Sequence, residues 1–337
     1  MPDISVVALN YNTREMLRDC LHSLLAHPDG LDLEIVVVDN ASTDGSADMV
    51  RQEFPRVALI GNEENEGYSC GTNRGIRASS APCVLLLNPD TVIGSGALRA
   101  MYEYLVAHAG VAIVGPRMVG RDGDYQQSCH YFTLLNGTHA LRYLLVLLGG
   151  LGSSLFGLST NPAGDGHDPV EVDWVYTACA LVRREALDEV GLLDEDLFMF
   201  GDDMDLCWRV HKAGWKTVYL PEVEIIHHGN QSGIQVFGEQ HGYTRARMYV
   251  DGIDYFQRKY FSAAHSYIIR SLICMGSAAA SAFMGILYIL RGRDIATGAR
   301  SVYAAKVAVA SLASLLARPP LSASSMKERQ KRCARWS

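Results

Sequence analysis

Three carboxylates lie within four residues of one another in the segment FMFGDDMDLCWR (198–209), which is the most informative stretch of the sequence for chemistry. Carboxylates this close repel one another unless a cation, a role as a base or a basic neighbour compensates. Arg209 follows Asp205 by four residues, so the two side chains can pair on a helix. Asp202 and Asp203 are then left as candidates to bind a cation or to act as a base. An acidic helix N-terminus, which the helix dipole favours, accounts for only one or two of the three acids.

Asp90 and a pair of histidines are candidate ligands for a divalent cation. Asp90 closely follows the apolar run CVLLL (83–87). Mg²⁺ usually takes one or two carboxylates together with substrate phosphates and waters, so a single acid is enough. His227 and His228 precede Gly229 after a late apolar stretch, and their imidazole nitrogens can ligate a metal or contact a diphosphate. The sequence leaves open which of the two histidines acts.

Polar and small residues follow the first strands at their carboxyl ends and stand at the start of a later helix. Ligands bind beyond the carboxyl ends of strands in an open parallel sheet, and small residues let a backbone approach a phosphate or sugar closely. The same residue types are ordinary turn residues, so one such cluster alone carries little information. Several clusters at successive strand ends indicate a ligand site. The residues concerned are Asn10, Asn12, Asp39, Asn65, Gly67, Asn73 and Asn88.

Short β-branched runs alternate with amphipathic stretches, which predicts the elements that position these residues. Strands are predicted over 4–9, 34–38, 57–60, 83–87, 111–114, 178–182 and 217–220, and helices over 14–25, 71–79, 185–190 and 206–213. A further helix begins at a cap formed by Thr43 or Asp44 and ends near Phe54. Continuously apolar strands that alternate with helices predict an α/β fold whose mostly parallel central sheet is covered on both faces.

The C-terminal quarter of the chain differs in charge from the rest. Residues 256–337 contain 13 Lys and Arg but 2 Asp and Glu, whereas residues 1–255 contain 17 and 35. The segment 271–290 is uncharged over 20 residues, long enough to span a bilayer or lie flat on it. We therefore expect a catalytic domain at 1–255 and a helical, basic region at 256–337 at the cytoplasmic, anionic membrane face. The uncharged segment 144–158 is interpreted as a buried loop or as an apolar lip that faces lipid.

These segments together resemble the bacterial family-2 glycosyltransferases with the GT-A fold, and within them a rhamnosyltransferase-like branch. The motifs that carry the resemblance are SVVALNYN (5–12), VVVDNASTDGS (36–46), NEGYSCGTNRGI (65–76), VLLLNPDT (84–91), DWVYTACALVRREAL (173–187), FMFGDDMDLCWRVHKAGW (198–215) and HHGNQS (227–232). They span about residues 3–250. The resemblance implies transfer of a sugar from a nucleotide-sugar donor with inversion at the anomeric carbon, and Mg²⁺ or Mn²⁺ at the donor diphosphate.

The resemblance also implies a role for individual residues. It assigns Asn10, Asn12, Asp39, Asn65, Gly67, Asn73, Asn88 and Asp90 to the donor, Asp90 with His227 or His228 to the metal, Asp203 beside Asp202 to the general base, and Trp174, Tyr176, Asp205 and Arg209 to the acceptor side. Two positions depart from the family pattern. Asn88 stands where many relatives have an acid, which implies weaker metal binding, and Tyr176-Thr177 replaces a frequent Ser-Gly, which bears on the acceptor pocket.

The charge state of Asp203 follows from opposing influences. A neighbouring carboxylate raises the pKa of an acid, whereas a helix N-terminus and a nearby cation lower it. We expect this balance to leave Asp203 ionised near neutral pH and still basic enough to accept a proton from a hydroxyl group.

The expected partners are a dTDP- or UDP-linked sugar, with rhamnose as the family-level expectation, and a glycan or polyprenyl-diphosphate-linked acceptor in cell-envelope polysaccharide synthesis. Nucleic acid is not expected as a partner, because the excess of basic residues lies in the region 256–337 and not in the acidic region 1–255. The sequence allows a homo-oligomer. Two alternatives stay open: a nucleotidyltransferase, although residues 9–16 lack the Gly of its usual early loop, and a non-catalytic membrane-associated module that binds nucleotide-sugars.

Overall fold

A mixed sheet organises the N-terminal part of the protein. The computed structural model describes residues 1–132, 166–229, 242–290 and 295–316. Its strands are β1 (Ile4–Asn10), β2 (Leu33–Asp39), β3 (Ala58–Gly61), β4 (Cys83–Leu87), β5 (Thr91–Ile93), β6 (Val111–Val119), β7 (Tyr125–Gln126), β8 (Cys129–His130), β9 (Val170–Val172), β10 (Trp174–Val175), β11 (Cys179–Arg183) and β12 (Lys216–His227). Within the described ranges the main sheet has the order β3-β2-β1-β4-β11-β6-β12-β5, with β7 beside β6 and β9 beside β12.

Most strands of this sheet point the same way, so the predicted mostly parallel sheet is confirmed. β1 is parallel to both β2 and β4, and β12 is parallel to β6. β11 runs antiparallel between β4 and β6, and β5 runs antiparallel to β12. The sequence does not distinguish these two directions, because a strand covered on both faces is continuously apolar whichever way it runs.

The helices of this part of the chain cover the sheet. They are α1 (Arg14–Ala26), α2 (Ser46–Glu53), α3 (Tyr68–Arg77), α4 (Ala97–Ala107), α5 (Arg184–Val190) and α6 (Asp202–Lys212). Leu17, Leu21 and Leu24 of α1 are fully buried, as the spacing predicts. They pack with apolar residues of β1, β4 and β6 in the main core.

Helices α2, α3 and α6 begin at other residues than predicted, and α3 begins at Tyr68 and not at residue 71. Gly45, with a φ of 82°, holds the cap position of α2, so the expectation of a cap at Thr43 or Asp44 was wrong. Asp44 instead accepts hydrogen bonds from the backbone N–H groups of Ser46 and Arg14, which join the start of α2 to the start of α1. Helix α6 begins at Asp202 and not at residue 206, so the acidic pair forms its first turn.

Three further helices follow: α7 (Gly242–Tyr260), α8 (Ala263–Leu290) and α9 (Ile295–Leu316). They belong to a second compact unit, separate from the unit that holds the sheet and residues 202–229. The predicted domain boundary at residue 255 lies inside α7, and the role of residues 256–337 stays a prediction. Among the described residues, Ala263–Phe283 is long and apolar enough to cross a membrane. The segment 144–158 lies outside the described residues.

Candidate active site

The carboxyl ends of β1 and β2 meet at one edge of the sheet. Asn10 and Asp39 are register partners, and Asn10 Nδ2 donates to Asp39 Oδ1 at 2.9 Å and to Ser42 Oγ at 3.0 Å. Asn10 Oδ1 accepts a hydrogen bond from Thr13 Oγ1 at 2.7 Å. The second carboxylate oxygen of Asp39 accepts from the backbone N–H of Ser42 at 3.0 Å. The buried Asn10 side chain therefore fixes the orientation of the Asp39 carboxylate.

Asn12 extends this network across the loops that follow the two strands. Its φ of 52° lies in the left-handed region, which asparagine tolerates better than most residues. Its Oδ1 accepts from the backbone N–H of Thr43 at 2.7 Å, and its own N–H donates to Ser42 Oγ at 2.9 Å. The two loops are thus tied together, and the predicted donor contacts of Asn10, Asn12 and Asp39 stay predictions.

Asn40 joins this edge to the loop before α3, although the sequence did not single it out as a site residue. Its Nδ2 donates to Asn65 Oδ1 at 2.8 Å and to the carbonyl of Gly67 at 3.3 Å. Its Oδ1 accepts from Asn62 Nδ2 and from the backbone N–H of Glu66. The signal available in the sequence was its position directly after Asp39. Asn65 and Gly67 are therefore positioned from the end of β2.

Gly67 is required by the backbone and by close packing. Its φ is 87°, and a Cβ at this position would lie 2.6 Å from the carbonyl oxygen of Phe198. The next residue, Tyr68, donates its backbone N–H to that same carbonyl and its hydroxyl to the carbonyl of Thr177 at 3.2 Å. The close approach that the sequence attributed to a ligand is thus made, at this glycine, to the segment that leads toward the acidic pair.

Asn73 is buried, and its side-chain amide makes hydrogen bonds within the protein. Its Nδ2 donates to the carbonyl of Leu193 at 2.8 Å, and its Oδ1 accepts from the N–H of the same residue at 3.0 Å. Both ends of the amide thereby hold the loop at 193–195, to which Glu195 adds a further hydrogen bond. The structure gives Asn73 a supporting contact, and its predicted contact with a donor stays a prediction.

Asp90 and His227 come together where β5 pairs with β12. His227 is the register partner of Thr91, and His227 Nε2 lies 3.5 Å from Asp90 Oδ1. His228 instead donates its backbone N–H to the carbonyl of Asp90 at 2.8 Å. The backbone N–H of Asn88 donates to the carbonyl of Ala178, which connects the end of β4 to the start of β11. Of the two histidine rings, the geometry places that of His227 against the carboxylate.

These residues fit a divalent cation only if a ligand supplies further oxygens. Within the described ranges, no group of three or more His, Cys, Asp and Glu side chains is arranged to hold a metal. Asp90 and His227 provide one oxygen and one nitrogen, and His227 Nε2 is buried without a hydrogen bond. Mg²⁺ and Mn²⁺ are commonly held by one or two carboxylates plus substrate phosphates. The pair is therefore suited to a cation that arrives with a diphosphate.

The acidic pair Asp202 and Asp203 occupies the first turn of α6. Thr177 Oγ1 donates to Asp202 Oδ2 at 3.0 Å, and Thr177 directly precedes the Ala178 carbonyl that Asn88 contacts. This short connection places the pair at the same edge of the sheet as Asp90. Burial raises the pKa of both acids, and for Asp203 the charge of Asp202 raises it further. Burial and the neighbouring carboxylate thus shift the pKa of Asp203 upward, against the influence of the helix N-terminus. The expectation that Asp203 is ionised near neutral pH stays a prediction.

Asp205 and Arg209 form the predicted pair within α6. Arg209 Nε donates to Asp205 Oδ2 at 2.9 Å, and the Asp205 side chain is buried. The remaining nitrogens of Arg209 donate to the carbonyls of Val190, Gly191 and Leu192. The Asp205 carboxylate thus orients an arginine that satisfies the carbonyl groups at the end of α5. These contacts are structural, and the predicted acceptor role of the two residues stays a prediction.

Trp174 and Tyr176 form an aromatic group with His130 on the β8–β10 ribbon. Trp174 is buried, and its ring stacks on His130 at a centroid distance of 4.0 Å. The half-buried Tyr176 meets both rings edge-on. One face of the indole is therefore covered by protein, and Tyr176 is the more accessible of the two residues predicted to face an acceptor.

The comparisons with known proteins agree on one class of enzyme. The model of the family described as "Glycosyltransferase like family 2" matches residues 2–242. The chain is 31% identical over 245 residues to the N-acetylglucosaminyl-diphospho-decaprenol L-rhamnosyltransferase of Mycobacterium tuberculosis, a match that covers 67% of this chain and 76% of that protein. It is 23% identical over 239 residues to the dTDP-rhamnosyl transferase RfbF of Shigella flexneri, with 70% of this chain and 72% of that protein covered.

The fold is shared with a solved structure. The mannosyltransferase PcManGT of Pyrobaculum calidifontis, solved in complex with GDP-Man and Mn²⁺, matches with a TM-score of 0.58 and 18% sequence identity. The match covers 94% of this chain and 89% of that one. At this level of identity the similarity concerns the fold.

Proposed function

The chain belongs to glycosyltransferase family 2, and from this premise we propose that it is an inverting, metal-dependent glycosyltransferase of cell-envelope polysaccharide synthesis. The observation that carries the mechanistic part is the presence of two acidic centres at one sheet edge, Asp90 with His227 and Asp202 with Asp203. Direct displacement needs a base for the attacking hydroxyl and positive charge for the departing diphosphate. The two centres are suited to these separate tasks.

In the proposed reaction the acceptor hydroxyl oxygen forms a bond to the anomeric carbon while the bond from that carbon to the donor phosphate oxygen breaks. Asp203 accepts the hydroxyl proton, and the nucleoside diphosphate leaves with the electron pair of the broken bond. Attack opposite the leaving group inverts the anomeric configuration. The Asp202 carboxylate accepts a hydrogen bond from Thr177, and its negative charge raises the pKa of Asp203, which makes that acid a stronger base.

A bound Mg²⁺ or Mn²⁺ would neutralise the charge that develops on the leaving diphosphate. Asp90 and His227 would hold it, with the donor phosphates as the other ligands. Asn10, Asn12, Asp39 and Asn40 define the edge at which the nucleoside is proposed to lie. Their mutual hydrogen bonds fix the polar groups before a ligand arrives, so little ordering of these side chains would accompany binding.

We propose a dTDP- or UDP-linked sugar, with rhamnose as the first candidate, and a polyprenyl-diphosphate-linked glycan as the acceptor. The support is the similarity of the chain to two proteins, one an N-acetylglucosaminyl-diphospho-decaprenol L-rhamnosyltransferase and the other a dTDP-rhamnosyl transferase. A panel of nucleotide-sugars with Mn²⁺ tests the donor by thermal unfolding, because a ligand present at 100 times its Kd stabilises the folded state by about 2.7 kcal/mol.

The same panel, combined with a polyprenyl-diphosphate acceptor and mass spectrometry of the products, separates the proposal from its alternatives. We expect one donor to raise the unfolding temperature and the acceptor to gain the mass of one sugar. Formation of a nucleotide-sugar and pyrophosphate from a sugar phosphate and a nucleoside triphosphate would instead identify a nucleotidyltransferase. Donor binding without transfer to any acceptor would identify a binding module.

We propose that the C-terminal helices hold the protein at the cytoplasmic face of the membrane. The support is that these helices carry strongly exposed apolar side chains together with a buried charged one. Met275 and Ile289 on α8 and Leu316 on α9 are 68%, 71% and 76% exposed. Arg270 is only 5% exposed and forms an ion pair with Asp254 at 3.0 Å. Helices of a water-soluble protein normally show the opposite arrangement, with charges outward and apolar residues inward.

The contact between α8 and α9 also suits apolar surroundings. Arg270 donates to the carbonyl of Ser314 at 2.8 Å, which satisfies part of its guanidinium group inside the unit. Ser281 and Ser301 donate their hydroxyls to each other's carbonyls at 3.0 and 2.9 Å. Small residues and interhelical hydrogen bonds of this kind are the usual means by which helices associate in lipid. The tail's positive charge would face the anionic leaflet.

Lysine at two exposed apolar positions is expected to abolish membrane binding. The double substitution Met275→Lys and Ile289→Lys places charges where lipid contact is proposed, so flotation of the full-length protein with vesicles that contain anionic lipid should fall at least tenfold. Val106→Lys, on an exposed apolar position of the other unit, is the matched control and should float like the wild type. A wild-type protein that stays freely soluble at physiological salt and does not float would contradict the proposal.

A further inference from the structure

Gln126 lies against the ring and the backbone of His227. It belongs to β7, where it pairs with Met118 of β6. Its Nε2 donates to the backbone carbonyl of His227 at 2.8 Å, and its Oε1 lies 2.9 Å from Nδ1 of the same residue. The side-chain amide of Gln126 thus contacts His227 at two atoms, the backbone carbonyl oxygen and Nδ1 of the ring.

This double contact decides which ring nitrogen of His227 carries the proton. A backbone carbonyl only accepts hydrogen bonds, so the amide nitrogen of Gln126 must face it and the amide oxygen must face Nδ1. The amide oxygen is also only an acceptor, so Nδ1 must be the donor. In the neutral ring the proton is then on Nδ1, and Nε2 presents its lone pair.

The lone pair points at a carboxylate. Nε2 is buried, makes no hydrogen bond, and lies 3.5 Å from Asp90 Oδ1. A nitrogen lone pair and a carboxylate oxygen repel each other at this distance, unless a proton or a metal cation lies between them. In metal sites, ligating histidines commonly donate their other N–H to a neighbouring acceptor, which fixes the tautomer and the direction of the ring.

We propose that Gln126 is a positioning residue that holds His227 in the Nδ1–H tautomer and so directs Nε2 at a divalent cation shared with Asp90. The proposal rests on the metal site in the proposed function. Gly229 leaves room for this arrangement, because it has a φ of 69° and a Cβ there would lie 3.3 Å from Gln126 Nε2. Sequence reasoning did not find Gln126, which lies 101 residues from its partner in the chain.

The test compares two substitutions of Gln126, one of which removes the acceptor for Nδ1–H while the other keeps it. Gln126→Met keeps the length of the side chain but removes both hydrogen-bonding groups, whereas Gln126→Glu keeps an acceptor for Nδ1–H. Gln127→Met changes the neighbouring glutamine, which contacts His130 instead, and is the matched control. Thermal unfolding of each full-length variant checks that it is folded before the other measurements are made.

Two readouts are used, and neither is enzyme activity. ¹⁵N NMR of the imidazole nitrogens, with the His227 signals identified by their loss in His227→Gln, reports the tautomer at mildly alkaline pH in chelator. Mn²⁺ titration in the presence of a nucleoside diphosphate, followed by electron paramagnetic resonance, reports metal affinity. Gln126→Met is expected to shift the ring toward the Nε2–H form and to weaken Mn²⁺ binding by about 10- to 100-fold. Gln126→Glu should keep the Nδ1–H form, and Gln127→Met should match the wild type.

The outcomes separate this proposal from the proposed function. A folded Gln126→Met variant that keeps the Nδ1–H tautomer overturns the proposal, and so does one that binds Mn²⁺ as tightly as the wild type. If the wild type itself binds no Mn²⁺, with or without a nucleoside diphosphate, the metal site of the proposed function fails. In that case the role assigned to Gln126 toward a metal is overturned with it, even where the tautomer measured in chelator is the expected one.

Discussion

Replacing Asp203 by asparagine is expected to slow sugar transfer by about 10²-fold or more, the usual size of a general-base contribution, and to leave donor affinity almost unchanged. Asparagine has nearly the shape of aspartate but does not accept the proton of the acceptor hydroxyl. Transfer rate and donor Kd, measured separately on the purified protein, check the expectation. A large loss of donor affinity would show that Asp203 acts in binding.

The pH dependence of the transfer rate should also show that Asp203 acts as a base. Burial and the charge of Asp202 raise the pKa of Asp203, and the acid must lose its proton before it acts as a base. The rate at saturating donor should therefore rise with pH as Asp203 ionises, and the acidic limb should disappear in Asp203→Asn. A rate that falls with rising pH over this range would contradict the assignment of a base.

Stability should change in the opposite sense to activity. Because the pKa of Asp203 is higher in the folded than in the unfolded protein, the folded state binds the proton more tightly. The free energy of unfolding then falls as pH rises from the ordinary value of 3.8 through the raised one. Asp203→Asn lacks this loss, so in chelator at neutral pH it should unfold at a higher temperature than the wild type.

Two neighbouring substitutions serve as controls for the base. Asp205→Asn removes the buried partner of Arg209 and is expected to lower stability or expression, because the guanidinium loses its charged partner. Asp202→Asn should slow transfer less than Asp203→Asn, because Asp202 accepts a hydrogen bond from Thr177 and is proposed to influence the reaction through Asp203. If Asp203→Asn transfers sugar at the wild-type rate while Asp202→Asn does not, the base is the other member of the pair.

Asp90→Ala is expected to abolish metal-dependent donor binding. Asp90 is the described carboxylate that faces His227 Nε2, and its removal leaves the donor diphosphate without a cation to bridge it to the protein. Titration of the nucleotide-sugar with and without Mn²⁺ measures the effect. The wild type should bind more tightly with the metal, and the variant should show no difference between the two titrations.

The two histidines provide the matched comparison for this site. His227→Ala removes the ring that faces Asp90 and should weaken Mn²⁺-dependent donor binding more than His228→Ala, because His228 contacts Asp90 through its backbone N–H. Full transfer activity in excess chelator would contradict a metal role for both Asp90 and His227.

The elements of the sheet unit could be predicted from local pattern. The apolar run from Cys83 to Leu87 and the spacing of Leu17, Leu21 and Leu24 depend on neighbours close in the chain, so strand and helix follow directly from them. The pairing of Asp205 with Arg209 is local in the same way, since four residues make one helical turn. Asp90, Asp203 and the pair of His227 and His228 were likewise named as candidates from residue type, position and family resemblance.

The direction of β11 and the hydrogen-bond partners of individual side-chain amides could not be predicted from the sequence. Asn73 was expected to line a donor site, but the loop it holds at Leu193 is 120 residues away in sequence. Asn40 and Gln126 were not singled out, because glutamine and asparagine occur widely in turns and edge strands. Their partners become visible only when the chain is folded.

The class of chemistry could be predicted from the sequence, because the motifs at the strand ends carry a family resemblance that is recognised without the fold. The fold is needed to know which histidine ring faces Asp90, which residue contacts that ring, and that burial raises the pKa of Asp203. These properties depend on interactions that act over short distances in space but join residues far apart in the chain. Hydrogen-bond geometry and desolvation depend on atoms within a few ångströms in space, and across β7, β11 and β12 those atoms come from segments about a hundred residues apart.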